Sequence, residues 1–201
     1  MTTEIALRPA AAAPRTPYPA HLVEQTGLAD GTPVTIRPIR AGDLPLERAF
    51  VVRLSPHTRY QRLLSGRKLL PGELRRLTDI DYGHELALIA LARHEGREHM
   101  LGVARYVRED SAGQASCDFA IVIADRWHGR GLGELLMRRL LRAARADGID
   151  VVGGITLSTN AAMIALARKL GFRAVREAGN ASVTELRWQA GDLAPERILH
   201  S

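Results

Sequence analysis

Apolar positions along this chain follow two periods. Alternating or near-continuous apolar runs, rich in β-branched side chains, predict strands at Val34–Ile39, Glu85–Ala92, Met100–Glu109, Ser116–Ala124, Val151–Ser158 and Val183–Gln189. Pro38 marks the first of these as an edge or a strand end. Apolar residues recurring every three or four positions predict helices. One follows Asp43, a helix-capping residue type, through Leu44, Leu46, Ala49, Phe50 and Leu54. Ser55 as N-cap with Pro56 at the first helical position opens a second, and Pro71 opens a third through Leu74, Leu77 and Ile80. A fourth, over residues 131–147, aligns Leu132, Leu135, Leu136, Leu140, Ala143 and Ala144 and stops before Gly148. A fifth runs from Asn160 through Met163, Ile164, Leu166, Ala167 and Leu170 to Gly171.

The order predicts an α/β (α+β) domain over residues 33–190, with a mixed, mostly antiparallel sheet. Residues 1–32 lack periodicity and contain Pro9, Pro14, Pro17 and Pro19, so they read as a disordered extension. Residues 191–201 read as a C-terminal tail. Gly153 and Gly154 interrupt a strand, which implies a bend or a close neighbour there.

Composition narrows the class. With 201 residues, 46% hydrophobic and 25% charged, the chain reads as one soluble domain with an ample core. The single cysteine, Cys117, excludes a disulfide framework and suits a reducing compartment. No apolar run reaches the ~18 residues of a membrane span, and no signal-peptide pattern opens the chain, so a cytoplasmic location is expected. The net charge of +6 suits an anionic ligand. An aromatic content of 4% offers few stacking platforms, so nucleic acid is not an expected partner. No His or Cys pair has metal-ligand spacing.

The most informative stretch is Ser116 to Glu134. A buried strand breaks into a short polar loop, three glycines follow at Gly129, Gly131 and Gly133, and a helix begins. The first N–H groups of a helix lack partners and lie at the positive end of its dipole. Glycines let the main chain approach a phosphate. A phosphate-bearing ligand is therefore expected at Gly129 to Glu134, with Arg126 and Arg130 adding charge. A dinucleotide fingerprint fails, because the sixth position is Glu134 counted from Gly129 and Leu136 counted from Gly131. A P-loop fails for want of Gly-Lys-Ser/Thr.

His128-Gly129-Arg130-Gly131-Leu132-Gly133 resembles the acyl-CoA pyrophosphate loop of the GNAT (Gcn5-related) N-acetyltransferases, with His128 where Gln or Arg is usual. Asn160-x-x-Met163-x-x-Leu166-Ala167-x-Lys169-x-Gly171-Phe172 is similar to the family's second conserved helix. There Met163 replaces a small residue, and Ala167 replaces the tyrosine often used as general acid. Ile36-Arg37-Pro38-Ile39-Arg40, Arg53-Leu54-Ser55-Pro56 and Thr78-Asp79-Ile80-Asp81-Tyr82 are similar to the GNAT domain of bacterial Pat-type protein lysine acetyltransferases. The match spans roughly residues 34–190. It implies the GNAT fold, a central sheet of six to seven strands flanked by helices. It also implies acetyl-CoA as co-substrate without a metal, and a protein lysine or a small amine as acceptor. Main-chain groups of Ile121, Val122 and Ile123 would hold the pantetheine arm and polarise the thioester. Gly129, Arg130, Gly131, Leu132, Gly133 and Glu134 would hold the pyrophosphate, with Asn160 near the cofactor.

Acyl transfer to lysine needs a base, because at pH 7 only about one lysine in a thousand is neutral. Asp118 is the first candidate, where Pat-type enzymes carry Glu; Glu85 is the second. The competing role for Asp118 is an ion pair with Arg105 or Arg108. A covalent acyl-cysteine at Cys117 is the rival mechanism. Strand alternation places Cys117, Phe119 and Ile121 on one face and Asp118, Ala120 and Val122 on the other, which favours direct attack. An acyl-CoA sensor without turnover and a monomer or homodimer remain compatible with the sequence. His57 and His84 receive no catalytic role.

Overall fold

The computed structural model describes residues 16–63, 70–109, 114–177 and 180–192. The chain begins with strands β1 (Glu24–Gly27) and β2 (Pro33–Pro38), followed by helices α1 (Leu44–Arg53), α2 (Pro56–Leu63) and α3 (Pro71–Thr78). Strands β3 (Glu85–His94), β4 (Arg97–Arg108) and β5 (Ser116–Ile123) lead into helix α4 (Leu132–Ala146). Then come β6 (Val151–Leu157), α5 (Ala161–Lys169), β7 (Arg173–Glu177) and β8 (Asn180–Gln189). They form one eight-stranded sheet ordered β1-β2-β3-β4-β5-β6-β8-β7. Every neighbouring pair is antiparallel except β5 and β6, which are parallel.

The expected helices and six expected strands are present, and two further strands correct the count of six to seven. Residues 1–32 are not a tail throughout: β1 pairs with β2 from Glu24↔Ile36 to Gly27↔Pro33. Its residues, Glu-Gln-Thr-Gly, bury little, so nothing in their periodicity announces a strand. It is held from outside, by ladder bonds to β2 and by Glu24, which accepts from Arg139 Nε of α4 at 2.8 Å. The other additional strand, β7, fills the five residues between Phe172 and the β7–β8 connection and pairs with β8. A 3-10 turn at Ala190–Asp192 enters the stretch read as C-terminal tail. Residues 1–15 and 193–201 lie outside the described residues.

The sheet separates two cores. On one face α4 and α5 bury Leu132, Leu136, Met137, Leu140, Ala167 and Leu170 against Leu88, Ala104, Tyr106, Cys117, Val152, Leu186 and Trp188. On the other, Phe50 and Leu54 of α1 and Ile80 after α3 pack on Ile39, Ile89, Leu91, Val103 and Val122. Asp43 stands at the N-cap position of α1, but its carboxylate does not bond the helix amides. It accepts two bonds from the buried Arg37 guanidinium, at 2.7 and 2.6 Å, and one from the Arg40 amide at 2.9 Å. A buried guanidinium is costly without such a fork, which outcompetes the cap.

The two glycines of β6 have the close neighbours their sequence implies. A Cβ on Gly154 would lie 2.7 Å from Phe119 Cε1 and 3.2 Å from the Phe119 carbonyl oxygen. A Cβ on Gly153 would lie 3.3 Å from Asp118 Oδ1. Gly154→Ala should therefore force β6 and the Phe119 ring apart, with a loss of about 1–3 kcal/mol typical of overpacking. Chemical denaturation followed by circular dichroism reads this; an unchanged midpoint would mean that the ring relocates freely.

Candidate active site

β5 and β6 pair over only three residues, Ser116↔Val151, Cys117↔Val152 and Asp118↔Gly153. Beyond that point each strand stays with its outer neighbour. β5 pairs with β4 as far as Ile123↔Gly102, and β6 pairs with β8 as far as Leu157↔Val183. The sheet thus opens into a wedge whose apex is Asp118.

The ladder alternation defines which main-chain groups face the wedge. Bonds from Glu109 N–H to the Ser116 carbonyl and from Ala124 N–H to the Leu101 carbonyl frame the β4–β5 ladder. With the registered pairs between them, residues 118, 120 and 122 exchange bonds with β4, and alternate residues turn toward β6. Val122, expected to contribute with its neighbours, is thus committed to β4. Ile121 and Ile123 turn their main-chain groups into the wedge. His128 Nε2 lies 2.9 Å from the Ile123 carbonyl oxygen, which can only accept, so Nε2 bears the proton. The Ile121 groups and the Ile123 N–H are left for a ligand.

The wedge leads to the N-terminus of α4. Gly129 and Gly131 have φ of 72° and 81°, in the left-handed region where a Cβ is strained. Gly131 is the N-cap residue and no side chain caps the helix. The first helical amides, Leu132, Gly133 and Glu134, therefore have no acceptor among the described residues, which suits an anion. Gly133 serves packing: its Cβ would lie 3.3 Å from Leu166 Cδ2, between α4 and α5. The Glu134 carboxylate turns away from the loop, bound by Lys169 Nζ at 2.6 Å and Arg138 at 2.9 Å. Asn160 caps α5, accepting from Met163 N–H at 3.2 Å.

The arginines behave differently from one another. Arg126 is exposed and has no ion-pair partner among the described residues. Arg130 stacks on Trp127, 4.3 Å from its ring centre, and Arg130 Nε donates to Asp30 on the β1–β2 turn at 2.8 Å. The Thr32 hydroxyl and amide, and then Arg130, hold the Asp30 carboxyl down to about 2. Arg130 is thus paired with the hairpin, whereas Arg126 and the first amides of α4 have no such partner among the described residues.

Sequence reasoning did not foresee Asp125. Its carboxylate accepts from the Ser55 hydroxyl at 2.6 Å, the Ser55 amide at 3.0 Å and the Thr58 hydroxyl at 2.7 Å. Ser55 caps α2 as expected, its hydroxyl accepting from Thr58 N–H at 3.1 Å. Asp125 therefore fastens the loop after β5 to the start of α2. The signal was faint: an aspartate just past a strand end.

At the apex, the Asp118 carboxylate has no hydrogen-bond or ion-pair partner among the described residues. Neither Arg105 nor Arg108 pairs with it. Arg105, wholly buried, donates to the Leu77 carbonyl at 3.0 Å and feels Glu47 and Glu85. Arg108 donates to the Asp147 carbonyl at 2.7 Å. Burial, and then the charge of Glu109, push the Asp118 carboxyl above the usual range. Glu85 is also raised by burial, but Arg105 opposes the shift. Glu85, Val107 and Asp118 form one row across three strands, so the two carboxylates share a face about 10 Å apart. Cys117 is buried on the opposite face, and burial pushes its thiol up to about 12, which leaves almost no thiolate at neutral pH. Among the described residues no cluster of His, Cys, Asp or Glu could hold a metal ion, and no helix is long and apolar enough to cross a membrane.

This architecture is shared with known proteins. An acetyltransferase of Pseudomonas aeruginosa is 39% identical over 158 residues, covering 78% of this chain and 83% of that protein. Acetyltransferase Pat of Mycolicibacterium smegmatis is 29% identical over 160 residues, of which the alignment spans 80% of this chain and 47% of the relative. The solved GNAT domain of S. lividans PAT superposes with a TM-score of 0.76 at 24% identity, covering 86% of this chain and 99% of that one. The model of the acetyltransferase (GNAT) family matches residues 54–172. With the wedge, the glycine turn and the bare helix N-terminus in their places, the chain belongs to the GNAT acetyltransferase family.

Proposed function

We propose that this acetyltransferase moves the acetyl group of acetyl-CoA directly to the side-chain amine of a protein lysine, with Asp118 as general base. The observation that carries the reading is the wedge. Its edge offers alternating main-chain donors and acceptors, which suit the amides of a pantetheine arm. From Ile123 back to Asp118 the strand spans about 17 Å at ~3.3 Å per residue. A ligand whose diphosphate sits on the α4 amides and whose arm follows β5 would bring its thioester to the apex.

There the residues divide the chemistry. The open amides of β5 supply fixed dipoles for charge developing on the thioester oxygen. Asp118 supplies an acceptor for the ammonium proton, directly or through one water. Its raised carboxyl and lack of a cation partner suit a base, whereas Glu85 is offset by Arg105. The buried, protonated Cys117 faces the other side of the sheet, which supports direct attack over an acyl-cysteine. The protein-lysine acceptor rests on the similarity of residues 36–40, 53–56 and 78–82 to Pat-type enzymes, and on the identity with mycobacterial Pat.

Two substitutions test the reading. Gly131→Val places a β-branched residue at a φ of 81° where the amides must approach phosphate, so calorimetric affinity for coenzyme A should fall at least ten-fold. Undiminished affinity in a folded variant would move the ligand elsewhere. Asp118→Asn should retain that affinity and lower kcat by a factor of about 10²–10⁴. In the wild type, kcat/KM should decline as pH falls through the raised Asp118 pKa, and the variant should lose this limb. The stability sign is opposite. An acid whose pKa is raised on folding contributes stability below its unfolded pKa of ~3.9, which is lost as pH rises through the folded value. The Asp118→Asn variant should therefore melt at or above the wild type at pH 7, with the difference vanishing near pH 3. An unchanged rate profile would remove Asp118 as base.

A further inference from the structure

The face of the sheet that carries Asp118 is only half covered. α1 and Ile80 pack on its β2–β5 part. On β6, β8 and β7, by contrast, no helix among the described residues covers this face, because α4 and α5 lie on the other side against Val152, Ala174, Leu186 and Trp188. Ile155 is 46% and Val175 62% exposed, and Glu185 stands between them in register. Asp118 lies at the border of the covered and bare halves.

Register arranges the charges of the bare half. Asp118, Gly153, Arg187 and Arg173 are successive partners across β5, β6, β8 and β7, so they form one row on one face. Both arginines are exposed, and neither has an ion-pair partner among the described residues. Gly153 has no side chain, which leaves the path from Asp118 to Arg187 low. The second row, Ile155–Glu185–Val175, borders it with two exposed apolar groups on either side of the exposed Glu185.

We infer that this bare face docks the acceptor polypeptide and selects lysines that have acidic residues three to four positions away. Strands are ~4.8 Å apart, so Arg187 stands about 10 Å and Arg173 about 14 Å from Asp118. An extended peptide advances ~3.3–3.6 Å per residue. With its lysine at Asp118, a chain crossing the strands brings its third residue to Arg187 and its fourth to Arg173. A guanidinium pairs with a carboxylate in a bidentate fork, and Ile155 and Val175 beside the arginine row accept intervening apolar side chains. A second copy of this chain is the competing occupant: its net charge of +6 and its own arginines would meet like charge across the face.

The inference rests on the protein-lysine reading, and one experiment separates the two. The purified 201-residue chain is given acetyl-CoA and three peptides with one central lysine: with Asp at positions three and four from it, with Arg there, or with Ala. The Asp peptide should show a kcat/KM at least ten-fold above the Arg peptide. Arg173→Glu/Arg187→Glu should reverse that order while the melting midpoint and coenzyme A affinity stay unchanged. Equal use of all three peptides by the wild type, or an order untouched by the double charge reversal, would overturn the docking face and leave lysine acetylation standing. Coenzyme A binding without acetylation of any peptide would overturn the lysine reading and the docking face together. Dimerisation lost on the double substitution, with peptide order unchanged, would assign the face to a second copy.

Discussion

Everything that distinguishes this sheet follows from two neighbouring strands obeying different partners. β5 is zipped to β4 along its whole length, and β6 is zipped to β8 along its whole length, but the two share only three pairs. The right-handed twist that each outer ladder imposes then carries the two strands apart. Phe119, whose ring packs 5.1 Å from that of Phe172, occupies the space beside Gly154 just past the last shared pair. Main-chain groups at Ile121 and Ile123 are left facing a gap instead of a neighbour. A buried amide without a partner is costly, and the two strands, each following its outer neighbour, diverge before either could supply one.

The glycine turn below the wedge is conformationally loose in itself, and the structure fixes it from three directions. Asp125 ties its approach to Ser55 and Thr58. His128 folds back onto the Ile123 carbonyl. Arg130 is stacked on Trp127 and bound to Asp30 of the β1–β2 hairpin. These contacts engage Asp125, His128 and Arg130 and leave Arg126 and the helix amides open. In the proposed cofactor site such amides, already held by the helix, would need no reorganisation for a phosphate, whereas a free arginine would first have to lose rotamer entropy.

Much of this was legible in the chain. Leu132, Leu136 and Leu140 at helical spacing, and the alternation through Ser116–Ile123, place α4 on β5 without further help, since each period matches one element. The Gly129–Gly131 turn was legible because φ above zero favours that residue type. β1 was not, because Glu24–Gly27 is held by ladder bonds and by a distant Arg139 rather than by burial of its own side chains. The role of Asp43 was misplaced because a capping aspartate and an ion-paired one look alike until Arg37 is seen beside it. The wedge itself has no local code. Gly153 and Gly154 mark the place, but the divergence is a property of four strands together. The same holds for Asp118, whose isolation from Arg105 and Arg108 depends on where those two side chains find carbonyls to bind.

The absence of a phenol at residue 167 bears on how much acid catalysis the reaction needs. Ala167, within α5, is fully buried, and its methyl group carries no proton to give. Of the four tyrosines, Tyr18, Tyr82 and Tyr106 donate to Pro38, Ile39 and Asp147 respectively, and Tyr60 stands exposed on α2. The two proton transfers are unequal in difficulty. A lysine ammonium at pH 7 lies more than about three pKa units from its neutral form, which is over ~4 kcal/mol. A leaving thiolate with a thiol pKa near ~8.5 departs without prior protonation far more readily than an alkoxide would, and takes its proton from water afterwards. In the proposed reaction Asp118 would thus address the larger of the two barriers, the ammonium proton. On that reading Asp118 would lie on the acceptor side of the sheet, and the open amides of β5 would stand beside the thioester.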